Sequence, residues 1–157
     1  MINEILNEQH KLLAGKKTDI VNKSEKWIKK IEKECTGIEK NLLLATVYYM
    51  KSICTLDFAD AEISCSYYDN IPFDFLNEAN IKAYVHVLKL CYKFDIAVSL
   101  LTKVLNYSPW FELKYFCLSQ LSDDAMVADG VITKEEFLKY KKECLELLTK
   151  EKTYFCV

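Results

Sequence analysis

The side chains able to do chemistry in this chain are few and scattered. Asp129-Gly130-Val131-Ile132, with Glu136 beyond it, reads like the second half of a calcium-binding EF-hand loop. With Gly130 in the glycine position, Ala125 and Val127 stand where the first two side-chain oxygens belong, and Asp129 and Glu136 are the carboxylates left. Calcium takes roughly six to eight oxygens. The stretch therefore reads as a capped helical turn, with metal sensing as an alternative. His10 and His86 stand far apart, and the seven cysteines are never closer than eleven residues, so no zinc spacing occurs. A thiol–imidazole nucleophile would pair His86 with Cys91, but five residues apart on a helix the two point to different sides. There is no glycine-rich phosphate loop, GxSxG or HExxH. The expectation is no catalytic residue, no cofactor and no metal, with a redox switch on a reactive cysteine as a further alternative.

Binding chemistry is better represented. Between Leu56 and Asn80 lie Asp57, Asp60, Glu62, Asp69, Asp74 and Glu78 with no lysine, interleaved with Phe58, Tyr67, Tyr68, Phe73 and Phe75. Aromatics with polar tips or edges are typical of interface hot spots, and equally of helical cores. Both readings stay open. On the first, Tyr48, Tyr49, Asp60, Tyr67, Tyr68, Tyr84 and His86 line a partner-binding groove whose natural ligand is a basic or amphipathic peptide. All 21 basic residues are lysine. Without arginine, bidentate grips on phosphate or guanine are missing, and with a net charge of −2 this argues against nucleic acid as a partner.

These residues must be positioned by helices. The chain has 157 residues, 51% of them hydrophobic and 28% charged, with only three glycines and two prolines to make turns. That composition gives a fold of the all-α class, with about eight helices. The first spans about 2–14, ending at Gly15. The second follows a Thr18 or Asp19 cap, turns Val21, Trp27, Ile28 and Ile31 inward, and stops near Gly37. The third, about 38–54, is apolar nearly all round and belongs at the centre. Others are expected at about 57–70 behind an Asp57 cap, 74–92, 94–107, from Pro109 to about 121, and 134–151. A loop from Ser122 to Gly130 precedes the last. Phe58 to Phe94 and Ala61 to Ala97 are each 36 residues apart, and Pro72 to Pro109 is 37. A period near that length belongs to stacked helix pairs.

Residues 42 to 109 thus resemble two tetratricopeptide-type helix pairs, carried by Phe58, Ala61, Phe94, Ala97 and Pro109. Tyr49 and Val85 stand where that family has a small residue in the first helix. The run Asp129 to Phe137, with Lys141-Lys142 and Leu145, resembles the short C-terminal helical module called SHOCT. It is also similar to the Ala-Asp-Gly turn of the tellurite-resistance TerB motif. In either case Thr133 caps the last helix and Glu136 completes a capping box. These resemblances imply antiparallel helical hairpins stacked as a short solenoid or bundle, in one domain with a body at 1–121 and a C-terminal loop and helix at 122–157. They imply a non-enzymatic binding role, as adaptor, chaperone-like holder or inhibitor/immunity factor, with a protein or peptide partner or a homodimer through the last helices. No apolar run reaches the roughly 18 residues of a membrane span, and no secretory signal opens the chain. Free thiols, most of them buried, suit a cytoplasmic setting.

Overall fold

The computed structural model describes residues 1–107 and 111–154, with side chains to 150. Pro109, Trp110 and Cys156 lie outside the described residues. Those described are all-helical, with no strand. The elements are α1 (Ile2–Leu13), α2 (Ile20–Glu34), α3 (Gly37–Thr55), α4 (Phe58–Tyr68), a 3-10 turn at Phe73–Phe75, α5 (Glu78–Leu90), α6 (Phe94–Tyr107), α7 (Phe111–Leu121), α8 (Asp124–Ala128) and α9 (Lys134–Tyr154). The chain falls into two compact units, Met1–Cys91 and a second from Tyr92 onward. The division passes between the two helices of the second sequence copy.

In the first unit α3 is central, packing against α1, α2, α4 and α5. Its buried residues include Leu43, Leu44, Val47, Tyr49 and Met50, on more than one flank of the helix, as its all-round apolar sequence requires. Full burial of a leucine or methionine of this kind stabilises by about 1.5–3 kcal/mol. The turn into α4 is two residues long. Asp57 caps α4 by accepting from the Ala59 amide at 2.9 Å. Ser64 Oγ donates to the Ala45 carbonyl at 2.8 Å, and Lys51 Nζ reaches Asp60 Oδ1 at 3.0 Å. The pairing runs backward along α4 as it runs forward along α3, so the two form an antiparallel hairpin.

Helix starts differ from the sequence expectation where side chains compete for the cap. Asp19 stands at the N-cap position of α2, but its side chain makes no cap bond. Its Oδ1 accepts instead from Asn22 Nδ2 at 2.6 Å. Val21, expected inward, is exposed, and Ile20 is buried in its place. The fifth helix begins at Glu78 rather than near 74. Asn77 and Asn80 form a reciprocal capping box there, accepting from each other's amides at 2.9 and 3.3 Å. The expected loop from Ser122 to Gly130 holds the short helix α8, capped by Asp123 on the Ala125 amide at 3.0 Å.

In the second unit α7 packs against both α6 and α9. The capping box at α9 is formed as expected. The Thr133 amide donates to Glu136 Oε2 at 2.8 Å, and the Glu136 amide to Thr133 Oγ1 at 3.1 Å. Gly130 takes φ +73 in the turn before it.

The N-terminal helix is tied down by carboxylates. Trp27 Nε1 of α2 donates to Glu4 Oε2 at 3.2 Å, and Lys23 Nζ of α2 lies 3.6 Å from Glu8 Oε1, which Lys11 within α1 also holds at 2.8 Å. The Trp27 bond, with Lys23 beside it, lowers the Glu4 pKa; Lys11 and the Asp19 amide lower that of Glu8. A carboxylate depressed on folding stabilises above its ordinary value of 4.5 and loses that contribution as pH falls through the folded value. Acidification below pH 4.5 is therefore expected to loosen α1 first. A change in Trp27 fluorescence preceding the loss of helical circular dichroism would show it. Coincident changes would show that α1 is held by packing alone.

Candidate docking groove

The end of the α3–α4 hairpin, with the last turn of α5 beside it, encloses a largely apolar groove of about 300 Å³. Ser52, Ile53 and Leu56 come from α3 and its cap, Asp57, Phe58 and Ala61 from the turn and α4, and His86 and Leu90 from α5. Ala61 is 1% exposed. A larger side chain there would fill space that the groove uses. The upper walls are open: Leu56 is 89% exposed, Phe58 46% and Leu90 37%.

Leu56 combines an exposed apolar side chain with a backbone conformation that leucine rarely adopts. It is a large apolar side chain almost wholly in water, and its backbone is left-handed at φ 57, ψ 30. Glycine or asparagine ordinarily ends a helix in that conformation, because a Cβ clashes there. Tyr92, 36 residues on, repeats the arrangement in the second unit, at φ 56 and 76% exposed.

The polar atoms of the groove are mostly spent. Ser52 Oγ donates to the Tyr49 carbonyl at 2.8 Å, and Asp57 caps α4. His86 is exposed on the groove wall; its Nδ1 lies 3.4 Å from the Tyr49 hydroxyl, with the rings edge-on at 5.8 Å. Partial desolvation, and then Lys89, hold its pKa below the ordinary 6.5. The carbonyl ends of α3 and α5 and the Asp57 carboxylate bring negative charge to the rim, offset in part by the N-terminus of α4, which Asp57 caps, and by Lys89.

The structure divides the sequence-derived candidates. Tyr49, Asp60, Tyr68 and Tyr84 are buried and present no side chain to a partner. Tyr84 donates to Asp69 and stacks on Tyr68 at 5.0 Å. Burial raises the Tyr84 pKa, as does its bond to Asp69. The Tyr68 hydroxyl lies beside Thr46 and Asn80 without a well-formed hydrogen bond, and burial raises its pKa as well. For these residues the core reading of the aromatic stretch wins. Tyr48 and Tyr67 are half-buried and stack at 6.0 Å. Tyr48 and Lys51 belong to a different flank of α3 from Tyr49, Ile53 and Leu56. Only His86 of the set lines the groove. Ile53, Leu56 and Leu90 escaped the sequence reading because their spacing alone reads as ordinary core.

Asp129 ends α8, and Glu136 is engaged by Thr133. Among the described residues no group of three His, Cys, Asp or Glu side chains is placed to hold a metal ion. Cys35, Cys65 and Cys117 are buried, whereas Cys54 is exposed. Burial raises the Cys144 pKa and so disfavours its thiolate. No described helix is long and apolar enough to cross a membrane.

Comparison with protein-family models gave no match, and neither did comparison with curated proteins or with solved structures.

Proposed function

We propose that the protein is a non-catalytic binding module that seats an apolar anchor of a basic amphipathic peptide segment in the groove at the end of the α3–α4 hairpin. The observation that carries this reading is Leu56. A bulky residue held in left-handed backbone costs stability without gaining any burial in return, and such strain concentrates at functional positions. Charge complementarity favours that occupant: Asp57 is the one charged side chain among the lining residues, and the C-termini of α3 and α5 stand beside it. The helical-repeat reading rests on the 36-residue interval, at which Leu56 and Tyr92 both take a positive φ after a helix and Ala61 and Ala97 are both buried. An adaptor, a holder or an inhibitor would all use such a groove.

The test is fluorescence anisotropy with a labelled lysine/leucine amphipathic peptide and a glutamate/leucine peptide of the same length. Saturable binding of the first, at least tenfold tighter than of the second, is the expected result; tenfold corresponds to about 1.4 kcal/mol. Equal affinities would remove the charge argument. No binding of either would remove the docking reading.

A further inference from the structure

Resting on that docking reading, we propose that His86 is the polar reader of the groove: held by Tyr49 with its proton on Nε2, it donates to a main-chain carbonyl of the bound segment and makes docking sensitive to pH. The Tyr49 hydroxyl, 3.4 Å from Nδ1, belongs to a side chain only 4% exposed. Burial raises its pKa, so it is a neutral phenol at physiological pH. Its O–H needs an acceptor, and a neutral imidazole offers one lone pair. If Nδ1 accepts from Tyr49, that need is met and Nε2 carries the hydrogen. The reverse tautomer would leave the buried phenol proton without an acceptor, at a free-energy penalty.

A peptide laid against Ile53, Phe58 and Leu90 must still satisfy its backbone carbonyls. Of the polar side chains lining the groove, Ser52 has already given its hydrogen to the Tyr49 carbonyl, and Asp57 is an acceptor engaged at the α4 cap. His86 holds the remaining N–H. The groups around it are Tyr49 and Ser52 on α3, Asp57 at the start of α4, and Lys89 and the Glu78-paired Lys82 on its own helix. Protonation would place a hydrogen on Nδ1 against the Tyr49 O–H and add a cation beside Lys89 and the incoming lysines. The bound state therefore favours neutral His86. Affinity is full near neutrality and falls as pH drops through a His86 pKa lying below 6.5. The limiting slope is about tenfold per pH unit.

Two measurements test this. Nitrogen–proton NMR of the His86 ring in the ligand-free protein is expected to show the Nε2–H tautomer. Binding of the labelled lysine/leucine peptide, followed from about pH 8 to about pH 5, is expected to weaken in acid for the unsubstituted protein. His86→Gln keeps an amide donor and an acceptor for Tyr49. It should bind more weakly than the unsubstituted protein at neutral pH, more tightly than His86→Leu, and lose the acid dependence. His86→Leu should bind weakly at every pH, with circular dichroism checking that it is folded. An Nδ1–H tautomer, a His86→Gln variant that keeps the acid dependence, or a His86→Leu variant that binds normally would each overturn the His86 assignment while leaving docking intact. A protein with the expected tautomer that binds no peptide would overturn the docking reading and the carbonyl contact with it.

Discussion

Lys51→Met is expected to destabilise the first unit by about 3 kcal/mol, the lower end for breaking a buried ion pair. Asp60 is 5% exposed, and its Oδ1 takes the Lys51 ammonium at 3.0 Å while its Oδ2 has no hydrogen-bond partner. Removing the lysine leaves a carboxylate buried with neither charge nor donor to answer it. Lys51 is about a quarter exposed, so water recovers part of the loss. The double substitution Lys51→Met with Asp60→Leu takes the stranded charge away and is expected to restore most of the stability. Urea denaturation of the single and double variants measures both terms. A single-variant loss under about 1 kcal/mol would mean that the pair behaves as a surface salt bridge. The bond to Asp60 raises the Lys51 pKa above 10.5. The stabilisation is therefore complete below pH 10.5 and is lost only as pH rises through the raised value.

Leu56→Asn is expected to do two opposite things. Asparagine tolerates left-handed backbone, so relief of the strain at φ 57 should stabilise the hairpin by about 1 kcal/mol. For a chain of this size that is a rise in Tm of roughly 2–4 °C. Little packing is lost, because the side chain is 89% exposed. Binding of the lysine/leucine peptide should fall by more than tenfold, since a leucine that the peptide buries is worth about 1.5–3 kcal/mol. Thermal melts and anisotropy on one preparation read both. A variant that gains stability and binds as before would show that Leu56 is a strained turn residue without a ligand. One that loses stability would show that the leucine is held by packing.

The class of the fold and most of the helices were legible in the sequence because they depend on local rules. Sparse glycine and proline, helical spacing of apolar residues, and caps such as Asp57 and Thr133 act within a few residues of themselves. The central place of α3 followed from its apolar circumference, since a helix without a polar face must be covered. Asp19 takes its expected N-cap position but turns its carboxylate to Asn22 instead of the helix amides, and the start of α5 shifts because the Asn77–Asn80 pair caps it at Glu78. Which tyrosines are core was settled only by packing: Tyr48 and Tyr49 are adjacent in sequence, yet one is half-buried and the other sealed against His86. The groove belongs to the tertiary structure for the same reason. Ile53, Phe58, His86 and Leu90 come together only when α5 lies beside the α3–α4 hairpin, and the backbone conformation that holds Leu56 in water leaves no mark in a leucine's letter.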